Sequence, residues 1–128
     1  MYIFLSSSDC RDSHPENNAW DFTIDLNCLQ FDANWECSLT DVYYDGNFGE
    51  LYICSDLCTT SYVNDAYLRI LRVVNSPTVF IKPYFIPLSR TCIDHVRVYI
   101  RTRNGHMPSV VPDHLTCTLQ FRRQNVNH

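Results

Sequence analysis

Ile93-Asp94-His95-Val96-Arg97-Val98-Tyr99-Ile100-Arg101-Thr102-Arg103-Asn104-Gly105, and then Leu115-Thr116-Cys117-Thr118-Leu119-Gln120-Phe121-Arg122-Arg123, decide the fold class. Val96, Val98 and Ile100 alternate with Arg97, Tyr99 and Arg101. Leu115, Cys117, Leu119 and Phe121 alternate with Thr116, Thr118, Gln120 and Arg122. A side-chain period of two sends one set into a core and the other toward solvent, which is the signature of a half-buried strand. Two such strands closing a chain with almost no helical periodicity predict an antiparallel sandwich.

Working upstream, punctuation divides the rest of the chain into further extended runs. Tyr2–Leu5 is the first, and a polar loop with Pro15 follows it, Ser6 to Asn18. In the second, Trp20, Phe22, Ile24 and Leu26 alternate with Asp21, Thr23 and Asp25. The third is Trp35–Tyr44, with Trp35, Cys37 and Leu39 on one side and Val42 and Tyr44 on the other. That change of face predicts a bulge or a strand buried on both sides. Asp45-Gly46-Asn47 is expected to close a hairpin, because Asp-Gly supplies the positive φ angles of the primed turns. Leu51–Cys54 is the fourth run, and Ser55 to Tyr67 reads as a long loop. Leu68–Val74 is the fifth and is rich in β-branched residues. Helical spacing of Tyr62, Ala66, Arg69 and Val73 competes there, but Val73-Val74-Asn75 and Pro77 stop it early. Thr78–Ile86, the sixth, is broken by Pro83 and reads as an edge or bulged strand. The two runs quoted first complete the set. The expectation is an all-β fold, an eight-stranded antiparallel single jelly-roll sandwich, with one domain over residues 1–128.

A chain of 128 residues suffices for one core and is short for two. Apolar residues make up 45%, a globular composition. The net charge of −4 argues against a general nucleic-acid binder, which needs a basic footprint. Arginines nevertheless gather late, at Arg97, Arg101, Arg103, Arg122 and Arg123, and Lys82 is the sole lysine. Arginine suits bidentate pairing at interfaces, although a solvated strand face is the plain alternative. No run approaches a membrane span. The apolar start, Met1 to Ser6, is too short for a signal sequence and lacks a basic lead, so secretion by that route is not expected.

Seven cysteines, an odd number without a secretory signal, predict mostly free thiols. Cys37, Cys54 and Cys117 lie in strand-like runs and read as small buried hydrophobes. Cys54 and Cys58 have a permissible metal-ligand spacing, but no second pair matches it. Among Asp9, Asp12 and Glu16, the glycine and closing glutamate of a calcium loop are missing. Cys92 and His95 could be drawn as a nucleophile pair, yet no glycine-rich loop or nucleophile elbow supports it, so no enzyme and no cofactor are expected.

Four stretches together carry a family resemblance. They are Glu16-Asn17-Asn18-Ala19-Trp20-Asp21-Phe22-Thr23-Ile24-Asp25-Leu26; Trp35-Glu36-Cys37-Ser38-Leu39-Thr40-Asp41-Val42-Tyr43-Tyr44; Leu51-Tyr52-Ile53-Cys54-Ser55-Asp56-Leu57 with Val63-Asn64-Asp65 and Leu71-Arg72-Val73-Val74; and Pro83-Tyr84-Phe85-Ile86-Pro87-Leu88 with Ile93-Asp94 to Ile100, Gly105 and Leu119-Gln120-Phe121-Arg122-Arg123. In this order they resemble the penton-like minor capsid protein of Polinton (Maverick) elements and the related adintoviruses. Asn64 stands where that family usually has glycine, Gln120 where it has histidine, and Asp41 where it has glutamate. The resemblance implies a single jelly roll forming homo-pentamers at the vertices of an icosahedral capsid. It implies a double-jelly-roll major capsid protein as partner, and a virion location after assembly in the host nucleus or cytoplasm.

Chemistry read from the residues adds candidate sites. Trp35 is expected to fill the space between two sheets, contributing on the order of 2–3 kcal/mol by burial. Ser55-Asp56 should accept backbone N–H groups and hold a turn. Arg72 should find an acid among Asp56, Asp65 and Asp94 if partly buried. Aromatic and arginine-rich surfaces suit subunit contacts, so Tyr43, Tyr44, Arg97, Tyr99 and Arg101 are the candidate contact residues. The alternative reading is a small β-sandwich that binds carbohydrate or another ligand, with Trp20, Tyr62 and Tyr67 as a stacking platform.

Overall fold

The computed structural model describes the chain except residues 11, 32–33, 60, 64–65, 111 and 125–128, and describes residues 61–63 and 66–67 by backbone alone. The described residues form eleven strand segments and no helix: β1 (Tyr2–Ser6), β2 (Asp21–Gln30), β3 (Trp35–Tyr44), β4 (Leu51–Ser55), β5 (Ser61–Val63), β6 (Ala66–Leu68), β7 (Ile70–Val74), β8 (Thr78–Val79), β9 (Ile86–Pro87), β10 (Cys92–Arg101) and β11 (Leu115–Arg123). One antiparallel sheet runs β1-β11-β3, with β8 and β9 both paired to the far side of β3. The other runs β2-β10-β4-β7, and β5 and β6 make a separate small ladder.

The inner faces of the two sheets share one hydrophobic cluster, so the architecture is sandwich-like. Leu5, Cys37, Leu39, Val42, Leu119 and Phe121 enter it from the first sheet, and Phe22, Ile53, Leu71, Val96, Val98 and Ile100 from the second. These are the residues that the period-two pattern assigns inward on β10 and β11. Trp35 is the exception among the expected core residues. It lies at the start of β3, only partly buried, with its ring 4.8 Å from that of Phe31. Trp20 fills the core instead, with no exposed surface.

The change of face in Trp35–Tyr44 is a β-bulge. The β3–β11 register shifts between Thr118↔Asp41 and Leu119↔Leu39, leaving Thr40 unpaired. One extra residue restores inward parity, so Cys37, Leu39, Val42 and Tyr44 all face the core. The interrupted edge is also found. Thr78 and Val79 pair with Val42 and Asp41, Ile86 and Pro87 pair with Cys37 and Glu36, and the intervening residues, Pro83 included, leave the ladder.

The expected hairpin at Asp45–Asn47 does not form. β3 belongs to one sheet and β4 to the other, so this connection crosses the sandwich. Gly46 does take φ 110°, but a Cβ there would come within 2.8 Å of the Phe48 ring. Phe48 turns back to pack edge-on against Trp20, centroids 5.0 Å apart at 89°, and close to Tyr44 at 5.9 Å. This aromatic plug pins the crossing. The anticipated long loop after β4 carries the β5–β6 ladder, whose last residue, Leu68, covers Tyr52 and Cys54 on the outer face of the second sheet.

Candidate subunit-contact surfaces

The outer face of the second sheet is built by β10 and its neighbours. Arg97, Tyr99 and Arg101 alternate with the buried Val98 and Ile100 and therefore point outward. Register places Arg97 opposite Thr23 and Tyr99 opposite Asp21, so Asp21 sits one diagonal step from Arg97. The guanidinium forks onto that carboxylate, with Nε donating to Oδ1 at 2.9 Å and Nη2 to Oδ2 at 2.7 Å. This pairing raises the Arg97 pKa above its ordinary value. The Arg97 guanidinium also stacks 4.6 Å from the Tyr99 ring centroid, and that of Arg101 lies 4.8 Å from it. Tyr99 is thus clasped between two cations, and burial of its ring pushes its phenol pKa up. Arg101 donates to the carbonyl of Ile100 at 2.9 Å, and among the described residues it forms no ion pair.

Asp56 organises the end of this face. Its Oδ1 accepts the backbone N–H of Arg97 at 3.0 Å, and its Oδ2 meets Arg90 at 3.0 Å and His95 at 3.4 Å. Ser55 Oγ accepts the N–H of Leu57 at 3.2 Å. The turn-holding role expected of Ser55-Asp56 is therefore seen, and it ties β4 to β10. Asp56 and Asp94 are thereby committed elsewhere, Asp94 to His95 at 2.8 Å, and Asp65 lies outside the described residues. Among the described residues Arg72 takes neither Asp56 nor Asp94. Its register partner Ile53 faces the core, so its stem starts inward at the sandwich edge. From there the guanidinium lies 3.9 Å over the Phe80 ring and donates to the Lys82 carbonyl at 2.8 Å. Arg72 thus closes the open edge between β7 and β8 with a cation–π contact.

The outer face of the first sheet carries the other surface. One rung crosses it as Phe4, Thr118, Asp41 and Val79. Thr118 Oγ1 donates to Asp41 Oδ1 at 2.9 Å in the middle. The ends are apolar and bare, Phe4 at 78% and Val79 at 77% exposure, and Tyr2, two residues before Phe4 on β1, extends the same apolar surface. Tyr43 belongs here, half exposed, with its hydroxyl donating to Asp45 at 2.8 Å. That bond raises its pKa. Farther along, Glu36 accepts from Arg122 Nε at 2.7 Å, and the Arg122 guanidinium stacks 3.4 Å from the Phe85 ring centroid.

The candidate contact residues therefore divide. Tyr43, Arg97, Tyr99 and Arg101 reach the surface, Tyr43 on one sheet and the other three on the opposite one. Tyr44 does not: at 1% exposure it is a core residue, and burial raises its phenol pKa. The bulge at Thr40 is the reason. Phe4 and Val79 were missed, although Tyr2 and Phe4 alternate with Ile3 and Leu5 on a terminal strand. The stacking platform loses Trp20 to the core, and the Tyr62 and Tyr67 side chains lie outside the described residues. Cys54 and Cys58 do not share a site. Cys54 lies under Leu68 on the outer face and Cys58 in the main core. Among the described residues no group of three or more His, Cys, Asp or Glu is placed to hold a metal ion. No helix among them is long and apolar enough to cross a membrane. Compared with protein-family models, with curated proteins and with solved structures, the chain matches none.

Proposed function

We propose that this chain is a penton-like minor capsid protein, a single jelly roll that assembles five-fold at capsid vertices. The observation that carries the reading is strand order. Counting β8 and β9 as one interrupted edge strand, and β5–β6 as an excursion between β4 and β7, leaves eight strand positions in two sheets of four. First and last strands are neighbours, β1 beside β11, and second and next-to-last are neighbours, β2 beside β10. Successive crossings from sheet to sheet follow, which supports reading the chain as two Greek keys wound into a jelly roll. The motif order given above supports the same family.

A ring of identical subunits needs two different faces that fit one another, because a heterologous contact closes by rotation. The two outer sheet faces differ in this way. One presents Phe4, Val79 and Tyr43 around Asp41, and the other presents Arg101 and the clasped Tyr99. An apolar patch with an acidic centre against an arginine–tyrosine face is complementary in charge and chemistry. The carbohydrate-binding reading has lost Trp20 from its platform of Trp20, Tyr62 and Tyr67.

Size-exclusion chromatography with light scattering, run over a range of protein concentrations and in parallel with a glycan-binding screen, tests the proposal. A species at five times the 15.0 kDa chain mass is expected, with no glycan retained. A monomer at every concentration that binds a defined glycan overturns it.

A further inference from the structure

Of the seven cysteines, Cys37, Cys54, Cys58 and Cys117 are buried, Cys10 is partly covered, and Cys28 and Cys92 are exposed. The two exposed ones sit on adjacent strands, β2 and β10, with their sulfurs 2.9 Å apart. The ladder explains the approach. Cys92 pairs with Gln30 and Ile93 with Leu29, but the next pair is His95 with Asp25. Leu26, Asn27 and Cys28 therefore stand opposite Asp94 alone, a pronounced bulge in β2. Cys28 is two residues from Gln30, so it shares the face of Cys92 one diagonal step away. Diagonal neighbours in a regular ladder stand about 7–8 Å apart, their Cβ atoms somewhat less. A disulfide needs Cβ atoms about 3.5–4.5 Å apart. The bulge bends β2 and closes that gap.

We propose that Cys28 and Cys92 form a reversible intramolecular disulfide, made by exchange with a low-molecular-weight disulfide such as oxidised glutathione. One cysteine thiolate attacks the glutathione disulfide, forming a mixed disulfide and releasing one glutathione thiolate. The second cysteine thiolate then attacks the protein-side sulfur and displaces the second glutathione. Two protein thiols are oxidised, one glutathione disulfide is reduced to two thiols, and the two cysteine protons go to solvent or to the leaving thiolates. Cys28 keeps its proton longer than an ordinary thiol, first because it bonds to Cys92, and Asp94 acts in the same direction. Exchange is accordingly faster in mildly alkaline solution. The link would join residues 64 apart in sequence and fasten the bulged end of β2, an edge strand of its sheet.

The test equilibrates the full chain with reduced and oxidised glutathione mixtures, blocks residual thiols, and maps peptides by mass spectrometry. The expected product is a Cys28–Cys92 linked peptide within a single chain, with the other five cysteines blocked as thiols. The oxidised form should melt roughly 10 °C above the reduced form, from the closure of a long loop. Cys28→Ser and Cys92→Ser should each leave the partner as a glutathione adduct and abolish that difference. Because both positions are exposed, the serine variants keep the fold, and circular dichroism verifies this. Linkage of Cys28 or Cys92 to another cysteine or another chain overturns the proposal. So does persistence of both as free thiols in fully oxidised glutathione.

Discussion

Replacing Trp20 with alanine should be the most damaging single aromatic truncation in this chain. Trp20 is wholly buried, 6.0 Å from the Tyr44 ring at 68° and 5.0 Å from the Phe48 ring at 89°. Its indole N–H also donates to the carbonyl of Val110, tying the loop before β11 to the sandwich. Phe or Trp to Ala in a core costs about 3–5 kcal/mol. Edge-to-face pairs contribute about 0.5–1.5 kcal/mol each beyond area, and Trp20 has two, which puts it at the top of that range. The Val110 carbonyl adds little, since Val110 is exposed and water can replace the donor. A loss of ~4–5 kcal/mol approaches the whole stability of an ordinary domain. Trp35→Ala, by contrast, removes a ring that is only partly buried at the end of β3, and should cost about 1–2 kcal/mol. Urea melts followed by far-ultraviolet circular dichroism compare the two without relying on tryptophan emission. The corresponding melting-point losses are roughly 15 °C and 5 °C. If Trp35→Ala proved as damaging as Trp20→Ala, the sheets would be sealed at the β3 end, and the aromatic plug of Trp20, Tyr44 and Phe48 would be wrong.

Three further outcomes follow from the same contacts. Arg97→Glu should set two carboxylates side by side and destabilise the chain by about 1 kcal/mol, since the pair is partly solvent-screened, and Asp21→Arg in the same chain should restore the lost stability; failure of the swap to rescue in a thermal melt would mean that the fork is not formed in solution. Gly46→Ala should cost about 1–3 kcal/mol, because φ is 110° and the new Cβ would meet Phe48 at 2.8 Å, and an unchanged melt would show the crossing to be unstrained. The carboxyls of Asp25 and Asp94 are held below 3.8, chiefly by bonds from His14 and His95, so the unfolded chain binds more protons there and stability falls as pH drops through and below that value. The His14→Ala/His95→Ala chain should show a shallower acid limb in a stability-versus-pH profile, and an identical limb would refute the linkage.

The parts of the fold legible from sequence are those set by strict alternation. On β10 and β11 one residue in two is apolar, and those residues are the core. Pro83 marked the broken edge, and the switch of face in Trp35–Tyr44 marked the bulge. What the bulge did to the side chains was not legible, because a period of two cannot say where the extra residue falls. That uncertainty put Tyr44 among the surface candidates beside Tyr43. Asp45-Gly46 gave the correct positive φ and the wrong partner strand. A turn dipeptide fixes local geometry, whereas the crossing is fixed by Phe48 reaching Trp20 and Tyr44, which are distant in sequence. Trp20 stands one residue before β2 begins, so its burial follows from the turn at Asn18, whose Oδ1 accepts the backbone N–H groups of Trp20 and Asp21 at 2.8 and 3.0 Å. The arginines on β10 were legible as outward residues. That Arg97 would be held by Asp21 was not, because the pairing depends on register across strands far apart in the chain.

The proposed role at capsid vertices is tested most directly by co-expressing the chain with a double-jelly-roll major capsid protein and reconstructing the particles by electron cryomicroscopy. The account predicts five copies around each five-fold axis, with the Phe4–Val79 face of one copy against the Arg101–Tyr99 face of the next. Particles whose vertices are closed without this chain, while it stays monomeric in the supernatant, would contradict it.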